Sequence, residues 1–331
     1  MEYVALVLVF NNVLTLALVI VAATLDAGVM PLIALYGAAN VLAVLLAAAL
    51  CFAKFARPTT AVAWGDVKTF VRQAVPFSLS ALVATVYWRS DAVLLKLLAG
   101  DRAVGIYGAS ARIVEGLVLV AGSFREAIYP LLSRFWPSSP DPFREASRSA
   151  FKFLVALAVP MGVGTSLVAY KLFPFIYGPD FAEGWVVLAV LIWALVAIFI
   201  RELTAATMFA FDLQKLVLAS NALGAAASVA LNLLLIPSLS YVGPAVAGVA
   251  AAFATTTFNL VVIGSRVRRL YRWRLVLRPL AAAAVMAAAL ALGWRLPVLV
   301  NVGLGAAVYG GVLLLTRYYR PRQLADLVAR R

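Results

Sequence analysis

The chain of 331 residues has no histidine and a single cysteine, Cys51. Without histidine the common zinc ligand sets are excluded, and so is any Ser-His or Cys-His catalytic pair. Cys51 cannot form an intrachain disulfide. It stands in an apolar run and reads as a small buried hydrophobe. Charge is scarce too: 13% of residues are charged and 65% are hydrophobic, against about 45–50% apolar in a soluble domain. No GxxxxGK[ST] loop is present, so the chain is not expected to drive transport with ATP by itself. The first ten residues, MEYVALVLVF, lack the basic segment of a cleaved signal peptide.

What is present is a series of long apolar runs. Ten are expected to span a membrane, at about 3–24, 29–53, 73–98, 104–134, 153–170, 185–209, 215–236, 243–264, 279–294 and 297–316. A bilayer core of roughly 30 Å takes about 20 apolar residues as a helix. The runs are continuous rather than alternating, which excludes a membrane β-barrel. The expected fold class is an all-α integral membrane protein with about ten transmembrane helices.

Charge placement orients those spans. The net charge is +14, but no basic soluble module exists to bind nucleic acid. Twenty of the 28 basic residues fall in alternate connections and the tail, around 54–72, 134–152, 210–215, 265–278 and 317–331. Four fall on the opposite side: Lys96, Arg102, Lys171 and Arg295. By the positive-inside rule this places a multi-pass protein in the cell membrane with both termini cytoplasmic. The run RVRRLYRWRLVLR at 266–278 then touches anionic lipid head groups. The longest external connection, 171–184, is too short to hold much of a catalytic site.

The remaining basic residues lie inside the spans, matched by acids. Arg89, Arg112, Arg125 and Arg201 stand against Asp91, Glu115, Glu126 and Glu202. A charge at membrane depth costs roughly 2.5–3.5 kcal/mol on the gentler insertion scale. Arg112 and Glu115 share a helix face, whereas Arg89 and Asp91 point in different directions. Glu126 returns to the face of Glu115 after about three turns. Two readings stand side by side. In one, Arg89, Asp91, Arg112, Glu115, Arg125 and Glu126 line a polar cavity. The arginines there suit an anionic head group, and the carboxylates suit a coupling proton or cation. In the other, the charges pair between helices and fix packing. Arg201 and Glu202 read as interfacial and mainly structural. Pro76 opens the third span, Pro130 lies near the end of the fourth, and Pro160 interrupts the fifth. All three are hinge candidates or ordinary membrane-helix prolines. Gly224 with Ser228 and Gly243 with Ala247 place small residues one turn apart for close packing.

Several of these residues also carry a family pattern. Pro76, Asp91-x-x-Leu94-Leu95, Gly100, Val104-Gly105-x-Tyr107-x-Ala109, Arg112-Ile113-x-Glu115 and Ala127-Ile128-Tyr129-Pro130-Leu131-Leu132-Ser133 follow in order. Then come Phe175-Ile176-Tyr177-Gly178-Pro179-x-Phe181, Leu231-Asn232-x-x-Leu235-Ile236-Pro237 and Gly243-Pro244-Ala245. Over about 70–265 the chain resembles the Wzx-like polysaccharide flippases of the MOP exporter superfamily. The resemblance implies two six-helix lobes around a central cavity. It also makes Asn232, with Arg201 and Glu202, a secondary site candidate. Under it, 1–72 holds the last two helices of the first lobe and a cytoplasmic loop, and 73–265 is the second lobe. Residues 266–331 add a basic loop, two C-terminal helices and a tail. Four first-lobe helices are then lacking, and Val242-Gly243-Pro244 departs from the family's G-A-A run. A late gene start, a split gene or assembly with another chain would each account for this; a missing N-terminal portion is favoured, and in that case the isolated chain should not flip substrate.

The function so implied is flipping of lipid-linked oligosaccharide from the cytoplasmic to the outer leaflet, for cell-surface glycan synthesis. No enzyme activity, cofactor or metal is expected, while a proton or sodium gradient remains open as the driving force. The partners are membrane lipids and the lipid-linked glycan. The alternatives are a cation-coupled multidrug extruder, in which acids should dominate the cavity, a membrane glycosyltransferase or polymerase, and a non-transport assembly subunit.

Overall fold

A computed structural model describes residues 2–25, 28–54, 64–267, 270–271, 274–316 and 318. Nine helical segments among them are long and apolar enough to cross a membrane. They are α1 (Glu2–Thr24), α2 (Val29–Lys54), α3 (Trp64–Phe135), α4 (Pro140–Tyr177), α5 (Trp185–Ala210), α6 (Gln214–Leu239), α7 (Val242–Arg266), α8 (Arg274–Leu292) and α9 (Val298–Leu315). A 3-10 turn, Pro179–Gly184, links α4 to α5. The segment α3 is two helices meeting at Gly100, whose φ of 84° and ψ of 179° only glycine adopts cheaply. With its two arms counted separately, ten helices stand where the sequence predicts ten spans.

Two proline expectations are corrected. The third helix begins at Trp64, so Pro76 lies inside α3 instead of opening it. Its side chain is outside the described residues. Pro160 does not interrupt the fifth span, because α4 runs unbroken through both Pro160 and Pro174. The neighbouring Gly162 shows why. A Cβ there would stand 2.8 Å from Val196 Cγ2, so α5 packs hard against this part of α4 and holds it helical. Helix α4 also starts 13 residues before the expected span. Its polar first turns read as loop, yet Phe143, Ser147, Ala150, Phe151 and Leu154 are buried at helical spacing.

The chain divides into two compact units, Met1–Val75 and Pro76–Arg331. In the first, α1 packs on α2, and Asn11 Nδ2 donates to Asn40 Oδ1 at 3.5 Å. Few of its apolar side chains are covered by protein. Cys51 is exposed, not buried as expected.

The second unit is built around α5, buried on nearly every side. Its sequence is apolar all round, the pattern of a central helix rather than an amphipathic one. Helices α4 and α7 flank it, α6 packs on α7, and α8 and α9 pack on α4. The α6–α7 turn is a close backbone approach. A Cβ on Gly243 would meet Ile236 N and Leu235 C, both at 2.9 Å.

The connection before α5 is tied to α3 just past Gly100. Tyr177 Oη donates to the Ala109 carbonyl at 2.9 Å, and Ser110 Oγ to that of Gly184 at 3.2 Å. Glu183 takes Arg102 at 2.9 Å and the Tyr241 hydroxyl at 3.3 Å. At the α8–α9 turn, Lys171 donates to the Trp294 carbonyl and, at 3.2 Å, to Leu296 O, while Tyr170 stacks on Trp294 at 4.3 Å.

Candidate functional site

The backbone reversal at Gly100 brings Asp91, on the first arm of α3, against Tyr107 on the second. The Tyr107 hydroxyl donates to Asp91 Oδ2, and the Ala92 N–H donates to Oδ1 at 2.8 Å. Behind this pair lies a cavity of about 80 Å³. Tyr107, Val114 and Glu115 wall it from α3, Leu191, Ala194 and Ile198 from α5, and Ser228 from α6. Pro244, Gly248 and Ala252 close it from α7. Glycine and alanine at three of these places keep the space open between helices that otherwise pack closely.

Of the six cavity candidates, two line it: Asp91 and Glu115. Arg112 pairs with Glu115 at 3.1 Å, one turn apart as their spacing predicts, but its side chain is 71% exposed and sits outside the lining. Arg89 is exposed and lies outside the lining. Glu126, about three turns along α3 from Glu115, also lies outside the lining, and its side chain is 78% exposed.

The remaining charges form a second cluster, paired differently from the sequence expectation. Arg125 reaches across to α5 and donates to Glu202 Oε2 at 2.8 Å, while Glu126 is 3.9 Å away. The other oxygen of Glu202 takes Arg201 at 3.0 Å. Arg201 and Glu202 are both buried. Two guanidiniums therefore share one buried carboxylate, about a turn beyond the cavity residue Ile198. Next along α5, Thr204 Oγ1 accepts from Asn259 Nδ2 at 3.2 Å, and Thr207 meets the Tyr271 hydroxyl at 2.9 Å. Burial pushes the Tyr271 phenol well up, so it stays a neutral partner.

Asn232 lies one turn from Ser228 on α6, fully buried, and donates to its Oγ at 3.3 Å. Its Oδ1 has no hydrogen-bond partner among the described residues. Pro130 is exposed near the end of α3.

Sequence reasoning did not single out Tyr107 or Ser228 as site residues. Both stood inside quoted patterns, Tyr107 in the stretch after Gly100 and Ser228 in a small-residue pair. Neither is charged, and charge was the signal followed. Among the described residues no cluster of three or more metal-ligating side chains occurs.

Comparison with known proteins agrees with this architecture. Residues 1–136 match the family described as polysaccharide biosynthesis protein. That span contains α1 to α3, Gly100 and the Asp91–Tyr107 pair. No curated protein matches the chain by sequence. Among solved structures it is similar to the lipid II flippase MurJ in its inward closed conformation, with a TM-score of 0.79 at 12% identity. The likeness covers 96% of this chain and 67% of that one, so this chain spans about two thirds of the flippase's length. By fold, then, the chain is a helical membrane bundle similar to that of the lipid II flippase MurJ, and its residues 1–136 match the polysaccharide biosynthesis protein family.

Proposed function

We propose that the chain works in flipping lipid-linked oligosaccharide precursors across the cell membrane, as a transporter and not an enzyme. The observation that carries this reading is a fold shared with a lipid II flippase, with Asp91, Tyr107, Glu115 and Ser228 lining a cavity between its apolar helices. A sugar-diphosphate head cannot cross hydrocarbon unaided, so a protein must shield it while the lipid tail stays outside.

Size divides the labour within the site. A water needs roughly 10–15 Å³ of such volume. The cavity's 80 Å³ therefore takes a few waters or a small hydrated cation, and no sugar. Its lining holds two carboxylates and no arginine, the pattern expected for a coupling cation. The same pattern is what favours the second reading, a cation-coupled extruder. Arginines for an anionic head group lie outside the cavity. Arg112 is largely exposed beside Glu115, and Arg125 is 39% exposed above Glu202. In this proposal Asp91 and Glu115 serve the driving ion and Arg112 faces the diphosphate.

The test is glycan export in cells that depend on the complete transporter carrying this chain. Arg112→Ala should abolish export, with the protein still in the membrane. Asp91→Asn should cut export and remove its dependence on the ion gradient. Wild-type export in Arg112→Ala, joined to resistance against cationic drugs that Asp91→Asn removes, would replace the flippase reading with the extruder.

A further inference from the structure

A second cleft, of about 550 Å³, opens at the other end of the second unit, beside the N-terminal turns of α4. Arg144, Arg148 and Lys152 line it, with Asp141, Glu145, Ser149 and Leu275. The helix sorts the charged residues into two rows. Residues 144, 148 and 152 follow at intervals of four and make one basic stripe. Residues 141, 145 and 149 make the parallel row, acidic only at its outer end. Asp141 is 94% exposed and lies 3.7 Å from Arg144. Positive charge therefore dominates toward Arg148 and Lys152, where the apolar part of α4 begins.

The frame of the cleft is fixed by those same bases. Arg148 Nε donates to the Leu270 carbonyl at 3.2 Å, which holds the segment ahead of α8. Lys152 donates to the Tyr318 carbonyl and stands over the Tyr318 ring. The Tyr318 hydroxyl in turn donates to Leu275 O at 2.9 Å. Six arginines fall between 266 and 278, leading into α8. Close by, Phe153 on α4 and Leu277 and Leu280 on α8 are exposed apolar side chains, suited to hydrocarbon. A basic cleft bordering bare apolar side chains matches a molecule with an anionic head and acyl tails.

We infer that this cleft binds the phosphate head group of an anionic phospholipid, at the face where the positive-inside pattern puts the cytoplasm. The occupant is membrane lipid rather than free phosphate, because the basic stripe runs into the membrane-facing apolar surface and not away from it. The site is separate from the Asp91 cavity and does not depend on what the protein transports.

The experiment uses the purified full chain in detergent, with bound lipids counted by native mass spectrometry. Dioleoyl-phosphatidylglycerol, dioleoyl-phosphatidylcholine and inorganic phosphate are titrated separately. Phosphatidylglycerol should bind in preference to phosphatidylcholine. Arg144→Gln should weaken it about fivefold, from the energy of one basic residue near an anionic surface. Arg144 is chosen because it is exposed and holds no described part of the frame. Lys96→Gln, on the opposite side of the membrane, should change nothing. Equal binding of the two lipids overturns the inference, as does equal behaviour of the two variants. Inorganic phosphate bound as tightly as phosphatidylglycerol would overturn the lipid assignment. A charge reversal, Arg144→Glu, must weaken phosphatidylglycerol further than Arg144→Gln, and the reverse order also overturns it.

Discussion

At the scale of single residues, the two charge clusters of the second unit differ in how far the protein covers each partner. Arg112 is 71% exposed, so removing its side chain opens no void in the protein core. Glu202 is different. It is buried at 7% exposure and held between Arg125 and Arg201. Removing it leaves the buried Arg201 guanidinium beside Arg125 without their shared carboxylate. Glu202→Ala should therefore cost about 3–5 kcal/mol. Thermal unfolding in detergent should show a large fall in Tm for Glu202→Ala and almost none for Arg112→Ala. Equal shifts would mean that Glu202 is not the shared partner. Tyr107→Phe removes the hydroxyl that donates to Asp91 Oδ2, while the Ala92 N–H still donates to Oδ1. Export should fall in Tyr107→Phe as it does in Asp91→Asn, measured in the same cells.

These partnerships were only half legible in the sequence. Arg112 and Glu115 could be paired from spacing alone, because both sit on one helix. Arg125 could not be paired with Glu202, since the rotation of α3 against α5 decides which charges meet, and apolar residues on both helices give no phase. The same lack of periodicity hid the central place of α5. Asp91 was legible as a charge needing a partner, yet its partner is a tyrosine sixteen residues on, and tyrosine carries no charge to search for.

At the scale of elements, glycines decide which helices can touch. Gly243 brings the start of α7 onto the backbone of Leu235 and Ile236, and backbone cannot move aside. Gly243→Ala should push the α6–α7 hairpin apart and lower Tm by several degrees. Gly116, on α3, has nothing within 4 Å of where its Cβ would stand. Gly116→Ala should be neutral or gain up to about 1 kcal/mol from better helix propensity. If both variants melt alike, the close approach at Gly243 is not what holds the hairpin. The sequence marked Gly243 as a packing residue and was right about the type of contact. It could not say that the neighbour would be backbone. Nor did it show α4 as one 38-residue helix, because two prolines and a charged first third argue locally for breaks, and tertiary packing against α5 overrides them.

At the scale of the whole molecule, the number and order of helices followed from apolar length alone, and orientation rests on charge asymmetry. That orientation gives a direct expectation. In a Cys51→Ser background, Asp180→Cys should react with an impermeant maleimide added to intact cells, and Glu145→Cys should react only after the cells are opened. The opposite pattern would invert the chain and move the basic cleft to the outer leaflet. Both target residues are exposed, so access is not limited by packing.

The hairpin centred on Gly100 has a bearing on how the chain enters the bilayer. Its two arms are joined by one residue, and the polar partners Asp91 and Tyr107 are only sixteen residues apart. Closing so short a loop costs little entropy and takes well under a microsecond. An arm carrying Asp91 alone would have to bring an unmet carboxylate into hydrocarbon during synthesis. Released together, the arms arrive with that carboxylate already hydrogen-bonded, and with Glu115 already beside Arg112. In a translocon insertion assay, residues 64–99 alone should integrate less well than residues 64–135, and Tyr107→Phe should erase part of the gain.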